Sequence, residues 1–258
     1  MFPLRDDNPT RHRPYVTVGL IGVCILAFLW QNAQPHYEEI VWYFGLIPAQ
    51  LLGTGPFIPG AANPLVTVFT SMFLHGGWMH LGGNMLFLWI FGNNIEDSSG
   101  HLKFLVFYLL CGVGAALAQV ASAPTSEIPM IGASGAVSGV LGAYLLLFPR
   151  ARVSTLVFLG IFVTIIRLRA WLLLGVWFGG QALQAALTPP GSPGVAFVAH
   201  VGGFVAGMVL IGAFKRRGVP WFADGGPRSE EARKRPIDIR FRRSPKGSDS
   251  PWRPGPWG

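Results

Sequence analysis

Residues 150–169 read RARVSTLVFLGIFVTIIRLR. The topology of the whole chain turns on whether the apolar run inside it, Val153 to Ile166, crosses a membrane. The run has 14 residues, whereas a hydrocarbon core of about 30 Å takes roughly 20 helical residues. Arg150 and Arg152 precede it, and Arg167 and Arg169 follow it. A crossing would strand two of these arginines outside, against the rule that Lys and Arg stay on the cytoplasmic side. The run is therefore expected to be an interfacial or re-entrant segment and not a seventh span.

Working outward, six other stretches have the length and apolarity of spans. They are Tyr15 to Gln31, Gly77 to Ile95, Leu102 to Ala121, Ser134 to Phe148, Ala170 to Leu187, and Ala196 to Phe214. Pro, Gly and polar clusters such as NNIEDSSGH and TPPGSPG separate them. The composition agrees: 51% of the 258 residues are hydrophobic, 12% are charged, and the mean hydropathy is +0.44. A soluble domain carries about twice that charge. The expected fold is an all-α polytopic bundle of six transmembrane helices over residues 15–214. A cytoplasmic segment, residues 1–14, precedes it, and a basic tail, residues 215–258, follows. The polar N-terminus, with no small-residue cleavage site after the first apolar run, does not read as a cleavable signal. Cys24 and Cys111 lie within apolar runs and form no disulfide framework.

With six spans, all 20 Lys and Arg fall on one side. The segments Asn32 to Gly76, Ser122 to Ala133 and Thr188 to Val195 carry none. Both termini are expected in the cytoplasm of a multi-pass protein, in the cytoplasmic membrane of a prokaryote. The tail holds 12 Lys and Arg against five Asp and Glu. It is rich in Pro, Gly and Ser and is expected to be disordered. Anionic lipid is its expected partner. Nucleic acid is not expected, because aromatic interleaving is sparse and no nucleic-acid-binding fold is present.

Polar groups inside spans are costly, and each suggests a function. The second span carries His80 and Asn84, four residues apart on one helix face. The fourth, which begins IGASGAVSG at Ile131, carries Ser134 and Ser138. The sixth carries His200. These spans all run from outside to inside, and at about 1.5 Å per residue Ser134, His80 and His200 share the outer part of the bilayer. The fourth and sixth spans are rich in glycine. Gly135 and Gly139, and Gly203 and Gly207, are small-xxx-small pairs that let helices approach closely. Close approach brings Ser134 towards His200. A neutral histidine is the usual base for a serine nucleophile. Free N–H groups at the start of a helix, with Asn84, supply the donors of an oxyanion hole. The fourth span is short, about 22 Å, which suits a water-filled depression above Ser134. Singly, each residue also has a structural reading: a helix serine bonds its own backbone, and a membrane histidine can be a packing contact or a proton relay.

Together these motifs resemble the rhomboid intramembrane serine proteases, over roughly Asn63 to Lys215. H-x-x-x-N in the second span is matched by His80 and Asn84. G-x-S-G is matched by Gly132 to Gly135, and A-H-x-x-G-x-x-x-G by Ala199, His200, Gly203 and Gly207. Gly92 and Glu96 match a further spacing. The resemblance implies Ser134 as nucleophile and His200 as general base, with no aspartate, no cofactor and no metal. It implies an oxyanion hole of His80, Asn84 and the Ser134 N–H, and transmembrane proteins as substrates. Two positions depart from the family pattern. The first outer loop has Trp42-Tyr43 where many members have Trp-Arg, and Ser138 stands where some have an aromatic residue packing on the histidine. The alternatives are an inactive rhomboid-like protein that binds membrane clients, which the intact Ser134–His200 pair disfavours, and a transporter with a histidine relay. The acidic residues lie in loops and no inverted hydropathy repeat is seen, against the transporter.

Overall fold

The computed structural model describes residues 2–159 and 162–224. The tail from residue 225 on, where the expectation of disorder chiefly falls, lies outside the described residues. The chain is mostly helical. Among the described residues four helices are long and apolar enough to cross a membrane: α1 (Tyr15–Asn32), α7 (His101–Ser122), α9 (Ala170–Leu187) and α10 (Phe197–Phe214). The other two apolar segments fall short of that criterion for different reasons. The second is composite: α5 (Trp78–Phe87), a π turn (Leu88–Gly92) and α6 (Asn93–Ser99) follow one another without a break. The fourth, α8 (Ser134–Leu147), has only 14 residues. Between α1 and α5 lie three short helices, α2 (Tyr37–Phe44), α3 (Pro48–Leu51) and α4 (Pro64–Thr70), with a 3-10 turn at Ser71–Phe73.

α8 is the axis of the fold. Most of its residues are buried, from Gly135 through Tyr144 and again at Leu147, and α7 and α10 pack on it. A helix enclosed on all sides cannot be amphipathic, which is why its sequence is apolar and small throughout. The contact with α10 depends on two glycines. A Cβ on Gly203 would collide with the Gly135 carbonyl, and one on Gly207 with the Gly139 carbonyl. From the other side, Cys111 and Ala115 of α7 fill the space next to Gly139 and Gly135. Cys24 and Cys111 are buried free thiols.

Gly92 and Glu96 have a structural role. The Glu96 carboxylate accepts from Val16 N (2.9 Å), Thr17 N (2.7 Å), the Thr17 hydroxyl (2.7 Å) and His101 Nδ1 (2.5 Å). It thus satisfies free N–H groups at the start of α1 and ties that helix to α6 and α7. Gly92 leaves room for Thr17 beside it.

The bundle has one addition that an all-α description omits. β1 (Phe2–Asp6), β2 (Arg152–Leu159) and β3 (Phe162–Arg169) form an antiparallel sheet in that order. The run Val153 to Ile166 is thus mostly a hairpin. Its β-branched residues, Val153, Thr155, Val157, Val163, Thr164, Ile165 and Ile166, favour strands, and it is too short to span as a helix. The N-terminal segment, expected only to precede the bundle, supplies the third strand.

Candidate active site

Ser134 is the first residue of α8. The chain reaches it through Gly132 at φ +123°, a conformation that L side chains rarely adopt. Gly132 N–H donates to the Ser71 carbonyl (2.8 Å), which fixes the approach. A Cβ on Gly132 would stand 2.8 Å from His80 Nε2, so its absence lets the His80 ring lie against the backbone just before Ser134.

His200 lies in the first turn of α10. Its Nε2 is 2.8 Å from Ser134 Oγ, and its Nδ1 is 2.5 Å from Gln181 Oε1 on α9. An amide oxygen only accepts, so Nδ1 carries the proton and Nε2 is left as the acceptor for the serine hydroxyl. The Trp177 ring, one turn before Gln181, lies 6.1 Å from the His200 ring and tilted by 30°. α9 therefore supplies both an acceptor and an aromatic neighbour for the imidazole. Neither residue belongs to the motifs read from the sequence. The available signal was a glutamine four residues after a tryptophan within an apolar span.

Ser138 is buried, and its hydroxyl donates to the Ser134 carbonyl (2.6 Å). That is the common back-bond of a helix serine. It leaves Ser138 no part beside His200, where Trp177 stands.

His80 and Asn84 project from one face of α5 towards the same place. Gly76 N–H donates to His80 Nδ1 (3.3 Å), which puts the ring proton on Nε2, the atom beside Gly132. Asn84 Nδ2 is buried and has no partner among the described residues. A buried amide N–H without an acceptor is costly, and Asn84 lines the same cavity as Ser134. His75 packs edge-on to His80 with centroids 5.3 Å apart. Burial, and after it the neighbouring His80, push His75 down to about 4, so it is neutral at physiological pH. Gln31 of α1 holds the backbone there, donating to the His75 carbonyl (3.1 Å) and accepting from its N–H (3.3 Å).

A cavity of about 760 Å³ opens over these groups, lined by Met79, His80, Asn84, Ser134, Trp177 and His200 among others. It has the size of a site for a drug-sized ligand. Ser134, His200, His80 and Asn84 thus meet at one cavity, while Gly135, Gly139, Gly203 and Gly207 lie at the α8–α10 contact beneath it. Among the described residues no group of three His, Cys, Asp or Glu side chains could hold a metal ion. The arrangement can take a proton from a serine hydroxyl and present N–H donors to an oxygen beside it.

Residues 62–217 match the model of the Rhomboid domain. The chain is 32% identical over 149 residues to Rhomboid-like protein 11, chloroplastic, of Arabidopsis thaliana, covering 55% of this chain and 50% of that protein. It is 29% identical over 152 residues to Rhomboid protein 1, mitochondrial, of Saccharomyces cerevisiae, covering 57% and 40%. It is 33% identical over 135 residues to Rhomboid protease GluP of Bacillus subtilis, covering 52% and 24%. The chain thus spans half or less of the length of these relatives. The domain match covers more than half of the chain, and its helices are those of an integral membrane protein; the chain belongs to the rhomboid family.

Proposed function

We propose that the protein is a serine endopeptidase that cleaves peptide bonds in or near the transmembrane segments of other membrane proteins. The observation that carries this reading is the 2.8 Å contact between Ser134 Oγ and His200 Nε2, with His200 Nδ1 held on Gln181. Ser134 Oγ attacks the scissile carbonyl as Nε2 takes its proton. The C–N bond breaks, and the same proton passes to the leaving amine. Water, deprotonated by His200, then attacks the acyl carbon; the C–Oγ bond breaks, and His200 returns the proton to Ser134 Oγ. The oxygen that becomes negative at each step is met by His80 Nε2–H, Asn84 Nδ2–H and the Ser134 N–H. Asn84 Nδ2 gains in that oxyanion the acceptor it otherwise lacks.

In this reading the end of the bundle bearing Arg150, Arg152, Arg167 and Arg169 faces the cytoplasm, and the cavity opens towards the outer face of the membrane. The membrane of a prokaryote fits the one-sided basic residues, and the name of the Bacillus subtilis relative fits both this setting and a protease. The short α8 sets Ser134 below the surface, where water enters through the cavity.

The test is covalent labelling of the purified protein by a fluorophosphonate probe, run beside cleavage of a panel of single-span membrane proteins. Labelling and cleavage should both occur and both vanish in Ser134→Ala. A folded protein that neither reacts with the probe nor cuts any substrate would overturn the reading in favour of a client-binding relative.

A further inference from the structure

The sheet takes no part in this chemistry, and its position follows from the bonds at its base. Asp6, the last residue of β1, accepts from Asn94 Nδ2 (2.8 Å) and from the Tyr144 hydroxyl (2.6 Å). It therefore lies level with the start of α6 and the last turns of α8. From Asp6 back to Phe2, β1 packs on the π turn and on α5. Asn94 to Phe87 is about 10 Å along a helix, and Asp6 to Phe2 about 13 Å along a strand. The strand thus climbs alongside the composite helix from the arginine-rich end towards the cavity end. It does not hang below the bundle. β2 and β3 climb with it in register.

The two sheet faces differ. One turns Pro3, Val153 and Thr155 inward, all buried. On the other face, residues on neighbouring strands form rows. At the base Arg152 stands opposite Arg169. Next, Ser154 lies between Arg5 and Arg167. Above them, Leu156 lies between Phe2 and Ile165. The register shift at Leu4 is what puts Arg5 into its row. All four arginines are exposed, and none is in an ion pair among the described residues. The carboxylate at this edge, Asp7, accepts from the Arg152 backbone N–H (2.8 Å). Like charges directly across a sheet repel, so this face calls for an anion. The rows above call for an apolar cover: Ile165 is 59% exposed and Val163, beyond it, 57%. An open apolar edge strand would otherwise invite aggregation.

We propose that this face binds an anionic glycerophospholipid of the leaflet at the arginine-rich end. Its phosphate sits among Arg5, Arg152, Arg167 and Arg169, and its acyl chains lie over Phe2, Leu156, Val163 and Ile165. Successive rows are about 7 Å apart, the step from a headgroup phosphate to the first acyl carbons. Nucleic acid or an acidic peptide would satisfy the arginines and leave the apolar rows bare.

The test uses the full chain in non-ionic detergent, titrated with phosphatidylglycerol or phosphatidylcholine, with bound lipid counted by native mass spectrometry. Phosphatidylglycerol should bind at much lower concentration than phosphatidylcholine. Arg152→Gln with Arg167→Gln should weaken it roughly 10- to 30-fold. The pair Arg11→Gln and Arg13→Gln, basic residues outside the sheet, should change it less than twofold. Millimolar inorganic phosphate and a short oligonucleotide should not displace it. Equal binding of the two lipids, equal loss in the two arginine pairs, or displacement by phosphate or by the oligonucleotide would each overturn the proposal.

Discussion

On the proposed mechanism, Gln181→Leu tests the site most sharply, because it changes the setting of the proposed base without replacing Ser134, His200 or the proposed oxyanion donors. The substitution keeps a branched side chain at this place on α9 and removes the acceptor 2.5 Å from His200 Nδ1. A buried donor left without a partner costs about 1–3 kcal/mol. In the ground state this N–H belongs to a neutral imidazole. When His200 has taken the serine proton, the same N–H belongs to a cation, and hydrogen bonds to charged groups are roughly twice as strong. The loss is therefore larger in the transition state, by about 1–2 kcal/mol, or roughly 5- to 30-fold in kcat. KM should hardly move, since Gln181 serves the substrate only through His200. Gln181→Glu keeps an acceptor at the same reach, and at neutral pH its rate should stay above that of Gln181→Leu. The assay is steady-state cleavage of a transmembrane substrate in liposomes, with the fluorophosphonate labelling rate as a second readout and a thermal melt to verify folding. A folded Gln181→Leu with kcat within twofold of the parent, or with its defect entirely in KM, would refute the assignment of Gln181 as the residue that positions His200.

Four further outcomes are expected. Ser134→Ala and His200→Ala should each abolish cleavage, and the double variant should be no worse than either, because the two act as a unit; Ser138→Ala, which loses only a back-bond, should keep substantial activity in the same assay. Asn84→Ala should lower kcat by up to the 10²–10³ of an oxyanion donor, less where water takes its place; unchanged single-turnover rates would remove Asn84 from the mechanism. Gly203→Val should lose activity on the order of a hundredfold, since its Cβ meets the Gly135 carbonyl and a displacement of about 1 Å of His200 from Ser134 is that costly; parental rates would refute it. Burial raises Asp6 from 3.8 to about 6, so the folded state holds this proton more tightly than the unfolded chain. The stabilisation is fully present below pH 3.8 and lost as pH rises through 6. Denaturation midpoints should therefore show roughly 1–3 kcal/mol more stability at pH 4 than at pH 7 from this group, and Asp6→Asn should flatten that dependence.

The position of Gln181 also answers a departure noted in the sequence. Where some relatives are expected to carry an aromatic residue one turn after the serine, this chain has Ser138, which is committed to the Ser134 carbonyl. Trp177 and Gln181 approach His200 from a different helix.

Read alone, the sequence determined whatever depends on short-range periodicity and on transfer to an apolar phase. The apolar stretches, the shared face of His80 and Asn84, the glycines around Ser134 and the exclusion of the arginine-flanked run Val153 to Ile166 as a span all follow from a few neighbouring residues and their cost in a bilayer. Tertiary structure alone decided the rest. A short apolar run has no period that tells a strand from a buried helix, so the hairpin was settled only when Phe2–Asp6 paired with it. The π turn at Leu88–Gly92 has no local signature of that kind. Gln181 and His200 meet because α9 and α10 pack in one particular register, and nothing within either helix encodes that register. A pairing between helices is a property of the assembled packing, in which each side chain's partner is chosen by all the others.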